Sequence, residues 1–158
     1  MEGPPPSAPD RVSVTSPAFE DGGAIPKRFS CDGDNVSPPL RWRGVPGGAR
    51  ELALLVEDPD APGGTYVHWV LFKLGPDLDE LAADEVPANA RQGENSAGDS
   101  KYAGPCPPKG DPPHRYEFVL YALKSPLNLA DGASADDVRA AVGDAALARG
   151  RLVGRFGR

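Results

Sequence analysis

Proline and glycine interrupt this chain so often that it has little room for long helices. There are nineteen of each among 158 residues, and either one weakens a helix interior. The runs between them are nevertheless too apolar for a disordered chain. Short strands joined by turns satisfy both conditions, and strands punctuated this evenly point to a sandwich or barrel. The length suits about one domain with one core of its own. The proline-rich opening, residues 1–11, is expected to be a disordered lead-in, and residues 12–158 a single domain.

Three strands stand out. Glu51-Leu-Ala-Leu-Leu-Val-Glu57 is almost continuously apolar, so it should be central and covered on both sides. Side chains two apart share a face, which groups Leu52, Leu54, Val56 and Asp58 and puts a carboxylate at the end of a core-facing row. Taken alone, Asp58 ahead of a proline also reads as an ordinary turn opener. In Thr65–Phe72 the alternation predicts Tyr66, His68, Val70 and Phe72 on one face and Thr65, Val67, Trp69 and Leu71 on the other. Glu117–Leu123 follows a proline-dense loop, Gly104 to Tyr116, and its pattern aligns His114, Tyr116, Phe118 and Leu120.

The remaining segments are weaker. Val12–Phe19 is moderately strand-like. Asn35–Arg43 is an edge strand, or one entered only after Pro38 and Pro39, which cannot donate to a ladder. Residues 75–113 lack sustained periodicity apart from a short turn of helix near Asp79–Ala83, and a connection this long is usually functional or disordered. Its small residues, together with the following prolines, read as a pocket wall. Ser134-Ala-Asp-Asp137 has the Ser-x-x-acid form of a helix start, predicting a helix to about Arg149 that stops at Gly150, with Arg151–Phe156 returning as a strand.

Charge narrows the function. A net charge of −6 and a pI near 4.9 argue against nucleic acid, which requires clustered cations, and against an anionic membrane surface. No run approaches the roughly 18 apolar residues of a membrane span. The N-terminal residues lack the basic and apolar regions of a signal peptide, so a cytoplasmic location is expected. In a reducing compartment the two cysteines, Cys31 and Cys106, read as free thiols, the alternative being a disulfide from residue 31 to the central loop.

A lone histidine in an apolar strand is more often a satisfied core residue than a functional one. Here, however, there are only two, His68 and His114, and each lies beside a Pro/Gly-rich loop. With Asp58, Asp60 and Tyr116 they come from three strands or strand ends that could converge. A carboxylate bonded to an imidazole favours its protonated form, and a histidinium beside a tyrosine hydroxyl and loop amides can hold a phosphoryl or carboxyl oxygen.

Several motifs in order resemble the phosphatidylethanolamine-binding protein family, and most closely its bacterial Raf-kinase-inhibitor-like branch. They are Asp58-Pro-Asp-Ala-Pro62, His68-Trp69, Gly104-Pro-Cys-Pro-Pro108 with Gly110, and His114-Arg-Tyr116. Cys31-Asp-Gly33, Ser37-Pro-Pro-Leu-Arg-Trp42 and Tyr121-Ala-Leu123 add to the likeness, which runs from about Phe19 to Phe156. The resemblance implies an antiparallel β-sandwich of Greek-key type with a few peripheral helices, one of them near the C-terminus, and a small anion pocket at one end. By motif, Asp58, Asp60, His68, His114 and Tyr116 would form that pocket, while Pro62, Gly104 and Pro105 shape its rim. It would take phosphate, phosphoethanolamine-like head groups or small carboxylates, with no cofactor. Related bacterial proteins are often homodimers, and self-association is left open here. Asp111-Pro-Pro113 departs from the family pattern by padding the segment before His114.

Three rivals remain. A serine hydrolase would need a Gly-x-Ser-x-Gly elbow, which is missing, leaving acid-base work by His68 or His114 on a bound phosphate as the enzymatic alternative. A zinc site could draw on His68, His114, Cys31 and Cys106, though without a recognised spacing. An interaction module would instead inhibit a protease or kinase through an outer surface.

Overall fold

Leucine, valine and alanine fill β3 (Glu51–Asp58), and all eight of its residues are buried in the computed structural model, which describes residues 5–158. β3 pairs antiparallel with β4 (Tyr66–Leu74) on one side and β7 (His114–Leu123) on the other. With β6 (Arg91–Gln92) and β8 (Ala146–Phe156) they form a five-stranded sheet in the order β6-β4-β3-β7-β8. A smaller sheet, in the order β1-β2-β5, comprises β1 (Ser13–Thr15), β2 (Leu40–Arg43) and β5 (Glu80–Leu81). The single α-helix of the described residues is α1 (Ala135–Ala145), and one turn of 3-10 helix covers Lys27–Phe29.

Burial on both faces of β3 fixes the layering. Leu52, Leu54 and Val56 join Trp69, Leu71, Phe118 and Leu120 against Leu40, Trp42 and Leu81 of the small sheet. On the opposite face Ala53, Leu55, Val70, Phe72, Val119 and Tyr121 pack on Val138 and Val142 of α1. The result is the expected mostly-β architecture of two antiparallel sheets with a helix near the C-terminus. The faces of β3 and β7 follow their predicted alternation, and β2 begins after its two prolines.

β4 breaks its alternation. Val56 pairs with Trp69, whereas Glu57 pairs with Val67, so His68 is the extra residue of a β-bulge. A bulge re-aims the side chains on either side of it. Val70 and Phe72, expected beside His68, turn instead to the helix layer, while Trp69 faces the core between the sheets. A second register shift, between Leu52 and Leu54, coincides with Lys73 at a φ of 57°.

Four other expectations need revision. The helix ends at Ala145 rather than near Arg149, because residues from Ala146 onward pair with β7 along its whole length. Gly150 stops no helix: it lies inside β8, where a Cβ would strike the carbonyl oxygen of Val12. In place of a helical turn near Asp79–Ala83, β5 pairs Leu81 with Leu40 and Glu80 with Arg41. Of the expected lead-in, residues 1–4 lie outside the described residues, and the Pro6 carbonyl accepts from Tyr121 and Arg149 while the Pro9 carbonyl accepts from the Arg11 and Arg149 amides. Finally, the cysteines are not free thiols. Cys31 and Cys106 form a disulfide across a separation of 75 residues.

One side chain ties the helix to the sheet and another caps it. Arg139 of α1 pairs with Glu57 of β3, both buried, and Ser134 caps the helix by accepting from the Asp137 amide at 3.1 Å. Arg139→Ala strands a buried carboxylate and should cost about 3–5 kcal/mol in urea unfolding; a loss below ~1 kcal/mol would show that the pair is dispensable. Replacing both cysteines by serine should lower unfolding stability by about 4 kcal/mol, the chain-entropy value for so long a loop. An unchanged denaturation midpoint would contradict that.

Candidate functional site

The ends of β3, β4 and β7 meet at one end of the core between the sheets, around a cavity of about 440 Å³. Asp58 ends β3 at the turn opened by Pro59, and His114 begins β7 just after Pro113, so strand boundaries put both at the rim of the sheet. His68 reaches the cavity through the bulge. Tyr116, one step along the His114 face, forms the inner wall.

Hydrogen bonds set the state of each group. Asp58 Oδ1 accepts from the Asp60 amide at 2.8 Å, and its Oδ2 lies 2.7 Å from His114 Nδ1. His114 Nε2 is 3.2 Å from Asp111 Oδ2. Burial opposes a charge on His114, but the two carboxylates together outweigh it and raise its pKa above the ordinary histidine value. His68 differs. Its Nδ1 sits 2.6 Å from the Ala103 carbonyl oxygen, which makes Nδ1 the donor, and burial lowers its pKa in spite of that bond. The two imidazoles are therefore biased in opposite directions, His114 toward the charged form and His68 toward the neutral one.

The Tyr116 hydroxyl is the one buried side-chain polar atom among the described residues with no hydrogen-bond partner. Burial, and then the nearby Asp58 carboxylate, raise its pKa, so it stays a neutral hydroxyl. Asp58 lies close enough to act on that hydroxyl, though the two form no hydrogen bond of normal geometry; Tyr116 lines the cavity beside it. Its ring meets His68 edge-on at 5.2 Å and stacks on His114 at 6.4 Å.

Of the segment read in the sequence as a pocket wall, only the part from Ala103 to Pro108 forms the far wall, residues 92–102 lying off the cavity, and it is stitched down to residues 29–35. Tyr102 donates to the Phe29 carbonyl at 2.7 Å, Gly104 N donates to Asn35 Oδ1 at 2.8 Å, and Cys31 N donates to the Pro105 carbonyl at 3.1 Å. The disulfide closes the same seam. Gly104 has to be glycine, since a Cβ there would collide with the Phe29 carbonyl and the Asn35 side chain. A reciprocal bond from Ala103 N to the His68 carbonyl at 3.0 Å fastens this wall to β4.

Of the residues singled out in the sequence, Asp58, Pro62, His68, Gly104, His114 and Tyr116 line the cavity. Asp60 and Pro105 do not. Asp60 turns outward to Arg115, taking its Nε and NH2 groups at 3.0 and 2.8 Å, and these bonds hold its pKa down to about 2. Sequence reasoning passed over Asn35, Tyr66 and Arg158. Tyr66 lies 4.8 Å from the His68 ring, and its position two residues before His68 was an available signal. Asn35 adopts a φ of 58°, a conformation that asparagine tolerates, but nothing local ties it to residue 104. Arg158 donates to the Pro107 carbonyl and to Asp32, a long-range contact with no local signature. A zinc site using both cysteines is ruled out by the disulfide, which removes the thiolates it would need.

Comparison with known proteins agrees with this picture. The family model for phosphatidylethanolamine-binding protein matches residues 15–157. A UPF0098 protein of Methanothermobacter thermautotrophicus is 46% identical over 152 residues, covering 93% of this chain and 99% of the relative. Among solved structures, the phosphatidylethanolamine-binding protein homolog CT736 of Chlamydia trachomatis superposes with a TM-score of 0.88 at 38% identity, covering 94% of this chain and 99% of its own. YbcL of E. coli, described as a member of the mammalian PEBP family, gives 0.89 at 31% identity over the same shares. With the family model matching residues 15–157 and relatives alike over nearly the full length of both chains, this chain belongs to the phosphatidylethanolamine-binding protein family.

Proposed function

We propose that the pocket binds a small anion, such as phosphate, a phosphoethanolamine-like head group or a small carboxylate, and that the protein acts in regulation through such binding. The Tyr116 hydroxyl carries this reading: a buried donor with no protein partner, set beside a histidinium, suits an oxygen of a ligand. The stitched wall supports it, because a pocket held by a disulfide and several backbone bonds needs little rearrangement to bind.

Binding rather than catalysis is favoured by how the usual reactive groups are engaged. Both cysteines are in a disulfide, His68 Nδ1 is tied to a carbonyl, and His114 lies between two carboxylates. No helix of the described residues is long and apolar enough to cross a membrane. The disulfide weighs against the cytoplasmic location expected from the N-terminal sequence, since such bonds persist mainly in oxidising compartments.

Titration with inorganic phosphate or phosphoethanolamine, followed through the two imidazole signals by NMR, should move both resonances at millimolar ligand. If neither moves, the anion pocket is wrong and a role for an outer surface gains ground. His114→Ala should weaken binding by about tenfold or more, the range of a charge-assisted hydrogen bond, and His68→Ala by less than that though by more than a change at Asp60, because the His68 Nδ1–H is already held by Ala103. Asp60→Asn should change it by less than about twofold, because Asp60 faces Arg115 outside the cavity.

The pH dependence has a definite sign. His114 has a raised pKa, so its positive charge is complete below the ordinary histidine value and is lost as pH rises through the raised one. Anion affinity measured by calorimetry should fall over that upper range. His68, with its lowered pKa, should add charge and affinity only on acidification. A flat profile across the whole histidine range would defeat the charge argument.

A further inference from the structure

The padding residues Asp111-Pro-Pro113 have so far had no role. In the structure they bring a second carboxylate to the pocket histidine. His114 Nδ1 meets Asp58 Oδ2 at 2.7 Å, and Nε2 meets Asp111 Oδ2 at 3.2 Å. Carboxylates accept and do not donate, so both ring nitrogens carry hydrogen.

The consequence for a ligand is direct. Each imidazole could in principle offer an N–H to an anion, but His68 Nδ1–H is bonded to Ala103 and His114 Nδ1–H to buried Asp58. The remaining imidazole donor, His114 Nε2–H, is the one held by Asp111. The charged and titratable groups near His114 are Asp58 on β3, Asp60 in the following turn, His68 on β4, and Tyr116 on its own strand. Asp60 is neutralised by Arg115. One histidinium thus faces two carboxylates, and an incoming anion meets a site already supplied with negative charge.

The two carboxylates are not equivalent. The Asp58 side chain is 4% exposed, while that of Asp111 is 40% exposed and makes the longer contact. Pro112 and Pro113 fix φ between Asp111 and His114, and Gly110, at a φ of 92°, turns the chain just before them with its amide on the Arg158 carbonyl. The backbone therefore holds Asp111 opposite the ring, and release is by rotation of the side chain into solvent.

We propose that Asp111 is a resident competitor for the anion site: it holds the Nε2–H of His114 and must swing away before a phosphoryl or carboxylate oxygen can take its place. This rests on the anion-pocket reading and adds the residue that sets its affinity. Observed affinity is the intrinsic affinity multiplied by the fraction of molecules in which Asp111 has swung out, and the repulsion an anion meets from Asp111 should grow with the charge of the ligand.

The test compares the unmodified protein with Asp111→Ala and Asp111→Asn, using inorganic phosphate by calorimetry and the His114 imidazole by NMR. Asp111 lies on the rim, so folding can be checked from the rest of the spectrum. Measured below the ordinary histidine range, where His114 is charged in every form, Asp111→Ala should bind phosphate roughly threefold more tightly or better, Asp111→Asn should shift in the same direction, and the His114 pKa should fall in both. If the unmodified protein binds phosphate and neither variant binds more tightly, the competitor role is wrong while the anion pocket stands. If no form binds at millimolar phosphate, the pocket reading fails and this inference fails with it. Binding seen in the variants alone would support both.

Discussion

Every residue of β3 is buried, including three carboxylates, and the rest of the structure follows from covering that strand and satisfying those charges. The small sheet covers one face, and α1 with its loop covers the other. Each acid is met by a different element. Glu51, its pKa raised by burial, takes the Leu127 amide at 3.3 Å and lies 3.9 Å from Lys73. Glu57 takes Arg139 from the helix, and Asp58 takes His114 from β7. A buried carboxylate without a partner is costly, so these pairings dock the helix and position the histidine as much as they balance charge. Of the three acids, only Asp58 lines the cavity.

The pocket owes its shape to contacts between segments far apart in sequence. Residues 29–35 and 102–106 are joined by three hydrogen bonds and the disulfide, and β4 is joined to the same wall through Ala103. A β-bulge places His68 there. Without it, Trp69 and His68 would keep strict alternation with Val70 and Phe72, which lie under the helix. One extra residue thus lets a single strand serve the helix layer and the pocket together.

These facts mark where sequence reasoning succeeds. β3 and β7 were legible because each is a long uninterrupted apolar run with a simple two-residue period, and their end residues Asp58, His114 and Tyr116 came with them. The bulge was hidden, because register depends on the neighbouring strand and not on β4 alone. The C-terminal helix was drawn too long because Ala146, Leu147 and Ala148 suit a helix by propensity, while pairing with β7 overrides that preference. β5, two residues long, carries no periodic signal. The disulfide stands second to free thiols in the sequence because a reducing compartment disfavours it, whereas the fold brings the Cα atoms of Cys31 and Cys106 to 5.4 Å.

His68, His114 and the orphan hydroxyl of Tyr116 differ in how they can respond to a ligand. Tyr116 can turn its proton toward an acceptor without losing any existing bond. His68 cannot offer Nδ1–H without giving up Ala103, and doing so would loosen the wall it secures. His114 can offer Nε2–H only in exchange for Asp111, an exposed group that water will solvate once it is released. The least costly rearrangement available to the pocket is therefore rotation of one surface carboxylate, with the backbone and the second imidazole left in place. In the proposed anion-binding role, that economy lets one acceptor on His114 be exchanged for another with little else disturbed.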